Sequence, residues 1–160
     1  MKLEGTADFP YCAADVWKAL HDIDILTKTI PGCRSMTAND EGGYVIAVSL
    51  GVAAIKGDYE GTLNVTDVEF PTHYMLDGSS AGQPGYVSVH VDCQLSTNES
   101  ATRLTWICDA EVGGLIAGIG GRVTSGISKF MAKQFFKAFE EEMKNHFEEL
   151  TNVSGDGENV

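Results

Sequence analysis

Residue types able to do chemistry are present in this chain but scattered. His21-Asp-Ile-Asp24 puts an imidazole and two carboxylates within four positions. No second cluster completes a tetrahedral or octahedral metal shell, and an Asp at this place is accounted for as a helix cap. His73, His90 and His146 stand alone, His90 on the wet side of a strand pattern and His146 in an acidic helix end. The four cysteines, Cys12, Cys33, Cys93 and Cys108, form no CxxC pair and are expected to be reduced thiols. No serine or cysteine lies in a nucleophile signature such as GxSxG. The glycine-rich run Gly113 to Gly121 lacks both the Gly-Lys-Ser/Thr ending of a phosphate loop and the GxGxxG spacing. For acid–base work there remain Tyr59, Tyr74 and Tyr86, should they project inward. The sequence therefore names no catalytic residue, no metal and no cofactor, and it favours holding a ligand over transforming one.

Bulk properties narrow the partners. The chain has 160 residues and a formal net charge of -12, enough length for one domain with a real core. Long-range attraction to phosphate backbones or to anionic lipid faces needs clustered Lys and Arg, so nucleic acid is not an expected partner. No signal-peptide pattern opens the chain, and no apolar run approaches the roughly 18 residues that span a bilayer. The expected location is cytoplasmic.

The elements that must position any site follow from periodicity. Lys2 to Phe9 alternates strictly, as a half-buried strand requires. Ala13, Val16, Trp17 and Leu20 form a helical stripe, and Asp22 or Asp24 can cap a second short helix ended by Pro31-Gly32. Strand patterns then dominate. Gly42-Gly43 turns into Tyr44, Ile46, Val48, Leu50 and Val52 on one face, and Ile55 to Thr66 alternates over about a dozen residues. Gly57 and Gly61 on the dry face of that strand favour a strongly curved sheet. Tyr74, Leu76 and Gly78 suggest the next strand, Ala81 to Gly85 a loop, and Tyr86–Ser96 with Arg103–Val112 a hairpin. From about Arg122 to Leu150 a long helix carries Val123, Ile127, Met131, Phe135, Phe139, Met143 and Phe147 at four-residue spacing, with Lys129, Lys133 and Lys137 on another face. The glycine-rich run before it reads as a flexible or closely packed joint, and Thr151 to Val160 as a disordered polar tail.

The expected architecture is α+β: a curved antiparallel sheet of six or seven strands wrapped around a long C-terminal helix, in one domain over residues 1–150. Such a grip encloses an apolar cavity. Its expected lining is Ile46, Val48, Tyr59, Leu63, Tyr74, Leu76, Val89, Val91, Trp106, Ile119, Val123 and Ile127, with Trp17, Leu26 and Ile30 closing one end. Tyrosines and Trp106 can add one hydrogen bond each to apolar contact, which suits a quinone ring or a lipid head.

Several of these segments also resemble a known family when taken together: Ile30-Pro-Gly-Cys-Arg34, Leu50-Gly-Val-Ala-Ala-Ile-Lys-Gly57, Thr66-Asp-Val-Glu-Phe-Pro71, Thr102-Arg-Leu-Thr-Trp106, Ala110-Glu-Val-Gly-Gly114 and Gln134-Phe-Phe136. In order, over about residues 1–148, they resemble the CoxG family of carbon monoxide dehydrogenase subunits, within the START-like (polyketide cyclase/Bet v 1-like) superfamily. Ala53-Ala54-Ile55 stands where that family often has an apolar Gly-Pro-Val turn. The resemblance implies the helix-grip fold and an internal apolar cavity. It further implies an accessory role beside molybdenum hydroxylase subunits of the carbon monoxide dehydrogenase type, in assembly, in membrane recruitment by peripheral contact, or in handling a hydrophobic small molecule such as quinone. A cyclase or aromatase-like enzyme is the alternative within the superfamily.

Overall fold

The computed structural model describes residues 1–158, with the side chains of Ala53 and of residues 148–158 outside the described set. Strand β1 (Lys2–Phe9) is followed by helices α1 (Ala13–Leu20) and α2 (Ile23–Thr29), and then by six strands without a helical break longer than a turn. These are β2 (Cys33–Ala38), β3 (Gly43–Leu50), β4 (Gly57–Glu69), β5 (His73–Gly82), β6 (Gly85–Asn98) and β7 (Ala101–Gly113). Helix α3 (Gly121–Glu158) closes the chain. The sheet order is β1-β7-β6-β5-β4-β3-β2, with every neighbouring pair antiparallel. This is the helix-grip arrangement.

Local chemistry sets the element ends. Asp22 caps α2, its Oδ1 accepting from the backbone N–H of Asp24 at 2.9 Å and of Ile25 at 3.2 Å, which uses the carboxylate that a metal reading of His21-Asp-Ile-Asp24 would need. β3 stops at Leu50 rather than continuing to Val52, and Ala53–Ile55 forms a 3-10 turn before β4. β5 runs to Gly82, so Gln83-Pro84 alone joins it to β6, a tighter connection than the Ala81–Gly85 loop expected. The glycine-rich joint is ordered as a 3-10 segment, Gly114–Ile119, flanked by positive φ at Gly114 (74°) and Gly120 (98°). Both ends need a backbone conformation that glycine adopts without penalty. α3 runs past Leu150 to Glu158, and residues 159 and 160 lie outside the described residues.

The interior has two unlike ends. At one, Phe9, Val16, Trp17, Leu20, Tyr74, Leu95, Leu104, Phe139 and Met143 form a closed core. Phe139 is 0% exposed, and its ring meets Phe9 edge to face at 5.4 Å and lies against Phe135 at 5.7 Å. Tyr11 stacks on Phe147 at 4.5 Å. Such pairs add to the burial of large rings, so the second half of α3 is held firmly to the sheet. The first half is not.

The expected stripe on α3 holds only in part. Val123 is 48% exposed and turns away from the sheet, while Thr124, buried, takes its place. Four-residue spacing advances about 400° on a helix of 3.6 residues per turn, so a stripe built on that spacing winds off its face by about 40° at each step. Phe139 sits at the centre of the buried face, and the drift shows at the helix start.

His21, following α1, is half-buried among aromatic rings. Its ring stacks on Trp17 at 4.6 Å and meets Tyr74 at 4.6 Å; Nδ1 donates to the Trp17 carbonyl at 2.7 Å, and Nε2 is buried with no partner. Desolvation lowers its pKa below the ordinary 6.5, only partly opposed by the bond to Trp17. The fold thus prefers neutral His21. Below about pH 6.5 the unfolded chain takes up a proton that the folded chain resists, so this contribution to stability is present above that pH and is lost as pH falls through the depressed folded value. His90 shifts upward through its exposed pair with Asp77 and acts in the opposite sense. Urea unfolding at pH 7 and pH 5.5 is expected to show a smaller loss on acidification in His21→Gln than in the parent chain, and an equal loss would show that His21 does not carry it.

Candidate functional site

Under the first half of α3 the sheet and helix border a partly open cavity of about 470 Å³. Side-chain size on the inner face of the central strands explains it. Across the β4–β5 pairing Tyr59 faces Gly82, Gly61 faces Ser80 and Leu63 faces Gly78; across β5–β6 Gly78 faces Val89 and Ser80 faces Val87. β5 therefore presents Tyr74 and Leu76 at the closed end and then Gly78, Ser80 and Gly82, which fill almost nothing. Gly61 allows a further tightening: a Cβ there would lie 1.9 Å from the Ser79 carbonyl oxygen, a distance only glycine permits.

Most of the residues expected to line a cavity meet here. Ile46 and Val48 from β3, Tyr59 and Leu63 from β4, Leu76 from β5, Val89 and Val91 from β6, Ile127 from α3 and Ile30 after α2 all border it. Trp17 and Tyr74 do not; they belong to the closed core. Leu26 is buried on α2 away from it, and Val123 faces outward. Trp106 stands at the border, packed against both the closed core and the Leu3–Cys108–Ala110 cluster, and stacked on Phe136 at 6.3 Å. Ile119 packs behind Ile55, Tyr59 and Ile116.

Sequence reasoning missed several wall residues. Ile116 comes from a 3-10 segment, where neither period-2 nor period-3.6 counting applies, and Ile55, read as the start of the alternating strand, stands instead in the 3-10 turn before it. Ser80, Thr124 and Ser128 are absent from the expected lining because hydroxylated residues carry no hydropathy signal. The signal that could have found them is the row Gly78, Ser80, Gly82 at alternate positions after two large residues.

The wall is chemically quiet. No carboxylate, imidazole, Lys or Arg side chain borders the cavity among the described residues. The Tyr59 hydroxyl donates to the Ile55 carbonyl at 2.6 Å, and burial raises its pKa above the ordinary 10. Thr124 and Ser128 donate to the carbonyls of Gly120 and Thr124, each at 2.8 Å, and so show mostly carbon to the interior. Burial raises the Cys108 thiol, and pushes Cys93 in the closed core up to about 12, so neither is a ready nucleophile. Ser80 is the inner-face hydroxyl residue of β5 at the wall, enough to orient one polar group of an otherwise apolar molecule. No group of three or more His, Cys, Asp or Glu able to hold a metal occurs among the described residues, and no described helix is long and apolar enough to cross a membrane.

Comparison with known proteins agrees with this geometry. The family model for CoxG, a carbon monoxide dehydrogenase subunit, matches residues 5–144. Among solved structures, a conserved protein from Geobacillus kaustophilus is 35% identical, with a TM-score of 0.87 over 91% of this chain and 96% of that one. A START superfamily protein from Mycobacterium smegmatis is 11% identical with a TM-score of 0.68, covering 90% and 97%. Ara h 8.0201 is 16% identical with a TM-score of 0.64, covering 91% and 98%. These last two likenesses concern the fold. The comparison with curated proteins gives no match.

An open space of this kind accepts a larger side chain. Ile127→Trp is expected to leave urea-unfolding stability within about 1.5 kcal/mol of the parent chain, because the ring enters volume already open rather than displacing packed atoms. A loss of about 3 kcal/mol or more would mean the site is packed.

Proposed function

The chain belongs to the CoxG family of carbon monoxide dehydrogenase subunits, and from that premise we propose that it is a non-enzymatic carrier that holds a hydrophobic small molecule, a quinone or a lipid, in the cavity under α3. In this role it acts beside a molybdenum hydroxylase of the carbon monoxide dehydrogenase type, on the cytoplasmic side and in peripheral contact with the membrane that supplies the ligand. The single observation that carries the reading is the apolar hollow of about 470 Å³ between sheet and helix. Drug-sized ligands occupy pockets of roughly 300–1,000 Å³ lined by apolar side chains with a few polar groups, and this wall has that composition.

The family supports an accessory role, and the START-like fold supports binding. A cyclase or aromatase would need a general acid or base aimed at its substrate, and the tyrosine that reaches the cavity, Tyr59, already spends its hydroxyl on the Ile55 carbonyl. An assembly factor without a ligand would leave the hollow with no use, although an empty apolar volume costs stability in proportion to its size.

Native mass spectrometry of the purified chain, alone and after addition of a short-chain quinone or a fatty alcohol, tests the reading. One adduct per chain is expected, greatly reduced in Ile127→Trp, which occupies the same space. Absence of any adduct from either compound in the parent chain would refute it.

A further inference from the structure

Outside the cavity a second depression, of about 630 Å³, runs between the end of α2 and α3. Its floor is the Ile30-Pro31-Gly32 turn. Ile30 and Pro31 border both this groove and the cavity, so one turn of chain separates an open, wet trough from the dry interior. The groove's side chains are unusual for this protein. Lys28 comes from α2, and Phe130, Lys133, Gln134 and Lys137 from α3. The chain has a net charge of -12, yet residues 112–139 contain Arg122, Lys129, Lys133 and Lys137 and no Asp or Glu. Acidic groups return only at the far end, where Glu141 borders the groove and Glu142 stands 4.0 Å from Lys28. Phe130, 53% exposed, borders the same trough one turn before Lys133 and gives it an apolar strip.

We propose that this groove is the headgroup subsite of the cavity: it takes the anionic head of a single-chain amphiphile, a carboxylate in the simplest case, whose apolar chain passes Ile30 and Pro31 into the hollow. The inference rests on the carrier reading and selects among its ligands, favouring charged amphiphiles over neutral ones. Lys133 and Lys137, one helical turn apart, point the same way. Their stems can lie along Phe130 while the ammonium groups meet the head, and the Gln134 amide adds a donor. Thr29 does not take part, since its hydroxyl is bonded to the Ile25 carbonyl at 2.9 Å. Exposed lysines also explain why the head stays outside: no cationic side chain borders the cavity among the described residues, and the Met1 ammonium at its edge already donates to the Ala110 carbonyl at 2.9 Å, so a carboxylate drawn inside would lose more hydration than it regains.

Displacement of the neutral fluorescent reporter N-phenyl-1-naphthylamine by laurate and by 1-dodecanol, equal in chain length, tests the assignment. At low ionic strength laurate is expected to displace the reporter at roughly tenfold lower concentration, the scale of two or three partly exposed ion pairs, and the gap is expected to narrow in high salt. Lys133→Gln/Lys137→Gln should close the gap by weakening laurate alone, leaving 1-dodecanol unchanged; both side chains are exposed, so the fold is preserved. Equal potency in the parent chain, or a gap that survives the double substitution, overturns the headgroup subsite while the carrier reading stands. The subsite is equally overturned if the lysines instead serve to hold anionic vesicles with no preference for laurate over 1-dodecanol. Failure of the reporter and both competitors to bind overturns the two together.

Discussion

A mismatch in side-chain volume along one continuous inner surface governs this molecule. At one end the sheet offers Phe9, Tyr74, Leu95 and Leu104, and the helix answers with Phe139 and Met143. At the other the central strand offers Gly78, Ser80 and Gly82. A single straight helix cannot follow both depths. Anchored by its aromatic half, α3 stands off from the sheet over its first half, and the gap remains. Interiors are otherwise packed to crystal-like density, so an open volume of this size is a structural decision made by a handful of small residues rather than slack in the fold.

The polar groups around the hollow reinforce its character. Tyr59, Thr124 and Ser128 bond to backbone carbonyls and withdraw their hydroxyls from any occupant. Charged side chains are kept to the outer surface: the pair Arg103–Asp8 lies on the solvent side, and the lysines of α3 project beside the mouth. The site therefore separates two chemistries, a dry one that accepts carbon and a wet one that recognises charge, with Ile30 and Pro31 between them.

Much of the fold was legible because alternation survives in nearly every strand. Leu3 to Phe9, Val87 to Leu95 and Leu104 to Val112 could be assigned to a dry face from period alone, and the Pro31-Gly32 stop was unambiguous. The site was legible only in part. Ile46, Val48, Leu63, Val89 and Ile127 carry hydropathy and were found; Trp17, Tyr74 and Trp106 carry it too, and were placed in the same wall although they fill the closed end or its border. Hydropathy says that a residue faces inward, not whether the space opposite is filled. That depends on the neighbours across the strand pairs, such as Leu63 and Val89 leaning over Gly78, and pairing becomes known only with the register. Val123 misled for a different reason, since a four-residue step drifts around a helix.

The central claim is that the volume between β5, β6 and the start of α3 is empty of protein. Diffraction from crystals of this protein pressurised with xenon tests it most directly, because xenon enters dry apolar cavities and leaves strong density there. The account predicts a xenon site bounded by Gly78, Val89 and Ile127. Side-chain density filling that space, with no xenon bound, would contradict it.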